Sequence, residues 1–233
     1  MSDNRSFKES ATVLGNLFST NPVLRVVNFH STPRSRDLEY REQIARLGKS
    51  FSAVTEADLD RYLATGQWHK AKPGVIPAIY EGYRNGYDVI VPLLEEFGLI
   101  GWFFVITDFL KTPPPEQLTF ARAHDIGIET VEYPDGRYAL SWNELREISR
   151  RHVVASHARS HVLLTALDQA ARESEVLGSQ HDFKEHLGRP VRTFVSYGGP
   201  EYGVYPATDK LIDQAGYQFV FSNLKIQRLR EWT

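Results

Sequence analysis

The chain has 233 residues, 42% hydrophobic and 24% charged, so it can bury a full core and predicts one globular domain. Its formal net charge of −2 leaves no basic surface for nucleic acid, which we do not expect as a partner. Because the chain has no cysteine, disulfides and thiolate metal sites are excluded, and any metal ion must be held by histidine and carboxylate groups.

The N-terminal segment is polar and contains no apolar core of signal-peptide length. No apolar run in the chain approaches the roughly 18 residues that span a membrane. We therefore expect a cytoplasmic protein without membrane association. Residues 1–20 are predicted to be an N-terminal extension, and residues 21–233 the folded domain.

Apolar runs of strand length alternate with amphipathic stretches in the first half of the chain. The predicted elements are a strand at 24–29, a helix start at Thr55, a strand at 75–80, a helix at 88–97 and a strand at 100–107. Thr55 and Asp58, three residues apart, form the pattern of a capping box. The almost wholly apolar run 100–107 is typical of a strand covered on both faces.

The second half of the chain continues the alternation after a proline-rich loop and a segment that has no assignable pattern up to about residue 140. The predicted elements are a helix at 142–150, a strand at 153–156, a helix at 163–187, a strand at 192–196, a helix at 207–215 and a strand at 218–221. Ser141 is the expected cap of the first of these helices, and Gly188 ends the second. The apolar and basic run 224–232 follows.

This alternation predicts an α/β fold in which crossover helices join parallel strands, and it favours a single-domain, irregular (β/α) barrel. An open doubly wound sheet is the alternative. In such barrels the chemistry lies at the carboxyl ends of the strands. Polar groups follow five of the predicted strands: His30, Glu81, Asp108, His157 and the segment 197–199.

Two histidines four residues apart, His157 and His161, directly follow a predicted strand and can aim two nitrogen ligands at one metal ion. The spacing alone is a weak signal, since solvated helix faces also carry it. A zincin-type protease helix needs a glutamate after the first histidine, and Ala158 stands there instead.

Six segments along the chain form a set of motifs whose order and spacing can be compared with those of known families. They are 26–30 (VVNFH), 81–87 (EGYRNGY), 141–146 (SWNELR), 153–161 (VVASHARSH), 188–199 and 215–221 (GRPVRTFVSYGG and AGYQFVF). Together they resemble the motifs of the polysaccharide deacetylases with a NodB-homology domain, carbohydrate esterase family 4, over about residues 26–230. The resemblance implies an irregular, seven-stranded, TIM-like barrel.

The resemblance also implies a metal site made of Glu81, His157 and His161, where the family has an aspartate and two histidines. One divalent ion is expected, zinc in the first place, with cobalt or nickel as alternatives. A carboxylate and two imidazoles leave a coordination position open for hydrolysis. The implied substrate is an acetylated carbohydrate or a related small amide, from which the enzyme removes acetyl groups.

The third motif of the family supplies a backbone donor for the developing oxyanion, and Tyr197 is the candidate here. Gly198 and Arg192 are predicted to bind substrate in the same region, although Gly-Gly-Pro at 198–200 is also a sufficient turn signal. The family's late Leu-His motif has no counterpart, because no histidine follows His186.

The main departure is Tyr80, which stands where the family has its catalytic aspartate. A phenol with an ordinary pKa near 10 is a poor general base at neutral pH, so Tyr80 is assigned to substrate binding. His30 and Asp108, each at a predicted strand end, are the candidates for a substitute base. The alternative is a catalytically degenerate barrel that binds a carbohydrate or a protein without turnover.

Overall fold

A nine-stranded sheet forms the centre of the protein, in a computed structural model that describes residues 9–14 and 23–230. The strands are β1 (Glu9–Leu14), β2 (Leu24–Phe29), β3 (Ser52–Ala53), β4 (Gly74–Ile79), β5 (Trp102–Val105), β6 (Val153–Ser156), β7 (Thr193–Phe194), β8 (Phe219–Phe221) and β9 (Lys225–Arg230). The helices are α1 (Asp37–Ser50), α2 (Glu56–Thr65), α3 (Val91–Glu96), α4 (Thr107–Lys111), α5 (Pro114–Ala123), α6 (Trp142–Ile148), α7 (Gln169–Leu187) and α8 (Pro206–Ala215).

The strand order follows the chain in one direction. Strands β2, β4, β5, β6, β7 and β8 are neighbours in that order and run parallel, and the short β3 also pairs with β4. Strand β9 pairs antiparallel with β8, and β1 pairs antiparallel with β9. A doubly wound sheet would reverse its order at a switch point, and this sheet does not. The predicted α/β barrel class is therefore confirmed, and the doubly wound alternative is excluded.

Alternating side chains on each strand enter two separate apolar cores. On β5, Phe103 and Val105 pack with the crossover helices, whereas Trp102 and Phe104 point to the inside of the curl. The inner core also receives Leu59 of α2, which is fully buried. The predicted strand 100–107 is thus covered on both faces, as its apolar sequence indicated.

Helix α2 closes the amino end of the barrel. Its Glu56 accepts a hydrogen bond from Thr193 Oγ1 at the start of β7 (3.1 Å), and its Asp60 accepts one from Arg228 Nε of β9 (2.5 Å). Thr55 caps the helix through a full capping box with Asp58, as predicted. Because this end is filled, the open end lies at the carboxyl ends of the parallel strands.

The barrel is open along one side. Among the described residues, β2 forms no strand pairing with β9 or β1, the strands at the other end of the order. Side chains of β2 and β9, including Val26 and Ile226, nevertheless line one common cavity. The sheet is therefore a half-barrel whose two edges face each other across a cleft.

Several element boundaries differ from those that the sequence predicts. The predicted helix 163–187 begins only at Gln169, because Asp168 caps it by accepting a hydrogen bond from Ala171 N (2.8 Å). A π-helical turn covers residues 86–90 before α3, since Pro92 has no N–H to continue an α-helical pattern.

Two further segments form strands at one end of the sheet. The run 224–232 contributes β9, which the sequence analysis left unassigned. Of the predicted extension, residues 9–14 form β1, and the rest of 1–20 lies outside the described residues. None of the described helices combines the length and the apolar character needed to cross a membrane.

Candidate metal centre

The three predicted ligands converge at the carboxyl end of the sheet. Glu81 follows β4, His157 follows β6 directly, and His161 lies in the loop after β6. One potential ligand atom from each lies within 4.8 Å of the other two, and all three residues are buried. Glu81 Oε1 and His161 Nε2 are 4.0 Å apart. One carboxylate and two imidazoles at these separations fit a single divalent ion.

Backbone carbonyls fix the tautomers of both histidines. His157 Nδ1 lies 3.2 Å from Val195 O, and His161 Nδ1 lies 2.8 Å from His124 O. A carbonyl oxygen can only accept, so each Nδ1 carries a proton, and in the neutral ring this leaves the lone pair on Nε2. Such contacts orient histidine ligands in metal sites. Burial, followed by the nearby His161 ring, lowers the pKa of His157 to about 3, which keeps the His157 ring neutral at neutral pH.

His30 lies against the carboxylate of Glu81. Its Nδ1 is 2.9 Å from Glu81 Oε1 and 3.1 Å from Oε2, and the hydrogen bond raises the pKa of His30. Because an ionised carboxylate only accepts, the neutral ring donates from Nδ1 and keeps its lone pair on Nε2. The side chain of His30 is 64% exposed and lines the cavity.

Buried Asn85 holds the loop that carries His30. Its Oδ1 accepts hydrogen bonds from the backbone N–H and the hydroxyl of Thr32 (3.0 and 3.1 Å). Its Nδ2 donates to Ser31 Oγ at 3.1 Å. The two residues that follow His30 are therefore tied to the segment that follows Glu81.

Backbone strain is concentrated at this site. In the part of the chain that the structure describes, the non-glycine residues with positive φ are Glu81 (65°), Asp125 (54°), Ala158 (61°) and His161 (61°). Two are predicted ligands, and Asp125 lines the cavity. Ala158 lies between the two predicted histidine ligands in residues 157–161, which we call the ligand loop. Strained residues of this kind persist where the surrounding structure fixes them, and they cluster at functional sites.

Tyr80 is enclosed between two other rings. Its ring stacks on His30 (centroids 5.2 Å, 17°) and on Phe104 (5.0 Å, 14°), and it meets His157 edge-on at 5.5 Å. Burial, followed by the charge of Glu81, raises the pKa of Tyr80 above its ordinary value. The phenol is therefore protonated at neutral pH and cannot act as a base there.

The cavity at the open end measures about 650 Å³ and contains most of the predicted site residues. Tyr197 and Gly198 form part of its wall, and the Tyr197 ring lies 4.2 Å from the His161 ring. Tyr197 donates its hydroxyl to Asp125 Oδ2 at 2.9 Å. The volume lies in the range of small-molecule sites.

Asp125 and the carbonyl of His124 are site groups that sequence reasoning missed. Both follow α5 in the segment that had no assignable pattern. The available signal is the end of the run 114–123, where two polar residues precede Ile126 and Gly127 and indicate a helix terminus. That signal places a turn at this position, but it does not place the turn beside β6.

Two predicted site residues lie outside the cavity. Asp108 lies in α4, where its Oδ1 is 2.6 Å from Lys111 Nζ. Arg192 precedes β7 at the amino end of the barrel, where its Nε donates to Gln218 Oε1 at 2.7 Å. Arg192 is therefore not brought to the cavity, which lies at the opposite end of β7. Asp108 does not line the cavity, because its strand ends at Val105 and the chain has already turned into α4.

Comparisons with known proteins agree on the fold. Residues 78–220, more than half of the chain, match the family model described as polysaccharide deacetylase. No curated protein sequence gives a significant match.

Solved structures give the same result at low sequence identity. The deacetylase PplD of Streptococcus pyogenes in complex with acetate is 12% identical, with a TM-score of 0.62 and coverage of 83% of this chain and 80% of that one. IcaB from Ammonifex degensii is 20% identical, with a TM-score of 0.58 and coverage of 85% and 83%. A de-N-acetylase from Aggregatibacter actinomycetemcomitans is 15% identical, with a TM-score of 0.60 and coverage of 85% and 87%.

Proposed function

Because the chain belongs to the polysaccharide deacetylase family, we propose that it is a metal-dependent hydrolase that removes acetyl groups from an N-acetylated sugar or a related small amide. The observation that carries this proposal is the convergence of Glu81 with two histidines whose Nε2 atoms are left free by their Nδ1 contacts. These residues would hold one divalent ion, zinc in the first place and cobalt or nickel as alternatives. When bound, such an ion supplies Lewis-acid activation of a carbonyl and of water.

His30 is the proposed base. Its Nε2 takes the proton from the attacking water, while Glu81 accepts the Nδ1 hydrogen bond and stabilises the resulting imidazolium. The same imidazolium then returns the proton to the leaving nitrogen, which releases the amine and acetate. His30 serves as both base and acid in this scheme, because the chain has no late histidine to supply the proton.

Tyr197 is the proposed donor to the oxyanion that develops on the acetyl carbonyl. Tyr197 lies in the wall of the cavity. Within residues 9–14 and 23–230, no group accepts a hydrogen bond from its backbone N–H, which can therefore donate to the oxyanion. Gly198 follows Tyr197 at φ 79°, a conformation that glycine adopts without strain, and lines the same cavity. Tyr80 forms another part of the wall and is assigned to substrate contact.

The second candidate function is binding of a carbohydrate or a protein without turnover. The observation that favours it is the stacking of Tyr80 between His30 and Phe104, in the place where the family has its catalytic aspartate. Aromatic rings at a cavity wall also bind sugar faces. The cytoplasmic location remains a prediction from the sequence under either function.

Elemental analysis separates the two functions without a guess at the substrate. The purified protein is exposed to zinc, freed of excess and compared with His157→Ala. We expect about one zinc ion per chain in the parent and loss of that ion in the variant. A parent with zinc is then screened for acetate release from acetamido sugars of increasing length. A parent that binds no zinc would contradict the hydrolase, and sugar binding by the same protein would support the binding module.

A further inference from the structure

The loop that carries both histidine ligands is strained and short. Ala158 and His161 each have φ of 61°, a region that side chains disfavour. Two backbone contacts fix the loop from the side of α4, since Thr107 N donates to Ala158 O (3.3 Å) and Asp108 N donates to Arg159 O (2.9 Å). The centre of the loop, at Arg159 and Ser160, is also bonded by helix α7.

Glu175 of α7 gathers three hydrogen bonds from the centre of the loop. Its Oε2 accepts from the backbone N–H groups of Arg159 and Ser160, each at 2.9 Å. Its Oε1 accepts from the hydroxyl of Ser160 in a very short contact. Glu175 is only 7% exposed, so the two N–H groups would lack another acceptor if its carboxylate were absent.

Asp182, two turns further along α7, holds the side chain of Arg159. Its oxygens accept from Arg159 Nε (3.0 Å) and a terminal nitrogen of the same guanidinium (2.9 Å). Thr107 Oγ1 and Lys111 Nζ also donate to it, at 2.6 and 3.0 Å. Burial alone would raise the pKa of Asp182, but the hydrogen bonds from Arg159, Thr107 and Lys111 lower it. The carboxylate is therefore ionised at neutral pH.

Two small residues of α7 complete the same face. Ser179 Oγ is 3.0 Å from Ser156 Oγ, which in turn accepts from Ala158 N at 3.2 Å. A Cβ atom added to Gly178 would lie 2.6 Å from the guanidinium of Arg159. The positions 175, 178, 179 and 182 follow helical spacing, so they form one stripe on the helix. We call these four residues the α7 polar stripe.

We propose that the α7 polar stripe positions the ligand loop so that His157 and His161 converge on one metal ion, with Glu175 as its principal positioning residue. The inference rests on the proposed function of the site. Buried charged groups are expensive, and α7 packs on the sheet well enough through apolar Val176 and Phe183. Glu175 bonds the loop directly and Asp182 bonds the side chain of its Arg159, whereas Ser179 reaches the loop only through Ser156 Oγ. Gly178 leaves the space that the Arg159 guanidinium occupies.

The test compares Glu175→Ala with Glu175→Gln and with Gln180→Ala. Glu175→Ala is expected to weaken zinc affinity about 10- to 100-fold, the usual effect of losing a residue that orients metal ligands. Glu175→Gln is expected to stay close to the parent, since its carbonyl oxygen can accept both N–H groups and its amide can donate to Ser160 Oγ. Gln180→Ala removes an equally buried polar group of α7 that bonds Val191 instead, so it should lower the melting temperature and leave zinc affinity unchanged.

A second readout does not depend on the metal. Nitrogen-15 spectra of the histidine rings in the metal-free parent should show His157 and His161 as single Nδ1–H tautomers. Glu175→Ala should give His161 a mixed or shifted ring signal, whereas Gln180→Ala should not. Unchanged ring signals and unchanged zinc affinity in Glu175→Ala would overturn the proposal. A parent that binds no zinc would refute the proposed function, and the ring spectra would still decide whether the stripe positions the loop.

Gly178→Ala is a second variant that tests the same proposal if Glu175→Ala does not fold. It retains every charge and improves the intrinsic helix propensity of α7, yet its Cβ must displace the Arg159 guanidinium. We expect weaker zinc binding and a shifted His161 ring signal in a folded protein. Parent-like values for both measurements would contradict a positioning role of the stripe.

Discussion

Replacement of Tyr80 tests whether its ring or its hydroxyl matters at the site. The ring stacks on His30 and Phe104, whereas the phenol has a raised pKa and stays protonated at neutral pH. Tyr80→Phe keeps both stacking contacts, so we expect little change in kcat and in the melting temperature. If the hydroxyl contacts substrate, its loss in Tyr80→Phe should raise KM.

Tyr80→Ala removes the ring, and its effect on stability can be worked out from the contacts. Each stacked pair contributes about 0.5–1.5 kcal/mol beyond burial, and a partly buried ring adds a cavity term below the 3–5 kcal/mol of a fully buried one. We therefore expect a loss of about 2–4 kcal/mol in the free energy of unfolding. For a chain of this size, this corresponds to a melting temperature lower by roughly 5–15 °C.

Circular dichroism melting of the metal-free proteins measures the stability, and acetate release from the sugar that the screen identifies measures kcat and KM. The kcat of Tyr80→Ala should also fall, since His30 loses the ring that supports it. The reasoning would be refuted if Tyr80→Phe lost about 100-fold or more in kcat with an unchanged zinc content, because that is the size of a proton-transfer contribution.

Three further substitutions give separate tests. His30→Ala should lower kcat about 10²- to 10⁴-fold and leave zinc stoichiometry intact; an unchanged kcat would eliminate His30 as the base. Burial raises the pKa of the Asp209 carboxyl to about 6. The protonated carboxyl therefore stabilises the folded state fully below the ordinary carboxyl pKa, and this stabilisation is lost as pH rises through 6. Asp209→Asn should add about 2 kcal/mol at pH 8 and little at pH 4 in urea unfolding, and equal gains at both would contradict this. Gly199→Ala should cost about 1–2 kcal/mol, since φ is 56° and the new Cβ would lie 2.5 Å from Asn223 Oδ1; an unchanged melting temperature would show that the loop adapts.

The sequence predicted the parts of the fold that depend on local pattern. Strands 24–29 and 153–156 were predicted to the residue, and Thr55 and Ser141 cap their helices as predicted. Periodicity and capping chemistry are encoded within a few neighbouring residues, so one sequence is enough to see them. The one-directional strand order followed from the alternation of strands and helices together with the resemblance to a known family.

What the sequence could not predict depends on contacts between distant segments. Strand β9 has basic residues along its length, and it is a strand because β8 and β1 pair with both of its edges. Asp125 reaches the cavity because the turn after α5 lies next to the ligand loop, where His124 O meets His161 Nδ1. Arg192 and Gly198 lie in the same segment, 188–199, but strand β7 separates them, so Arg192 lies at its amino end and Gly198 at the cavity.

Tyr80, Glu81 and His30 form one group of mutually contacting side chains. Where the family has two adjacent carboxylates, this chain has Tyr80 and Glu81, and His30 contacts both of them. The longer glutamate reaches His30 Nδ1 at 2.9 Å, and the stacked Tyr80 ring holds the imidazole in that orientation. A carboxylate at position 80 would lie next to Glu81 and would leave His30 without its stacking partner. Tyr80→Asp alone should therefore fail to restore the family's arrangement, because the position of His30, the proposed base, depends on the ring as well as on the charge.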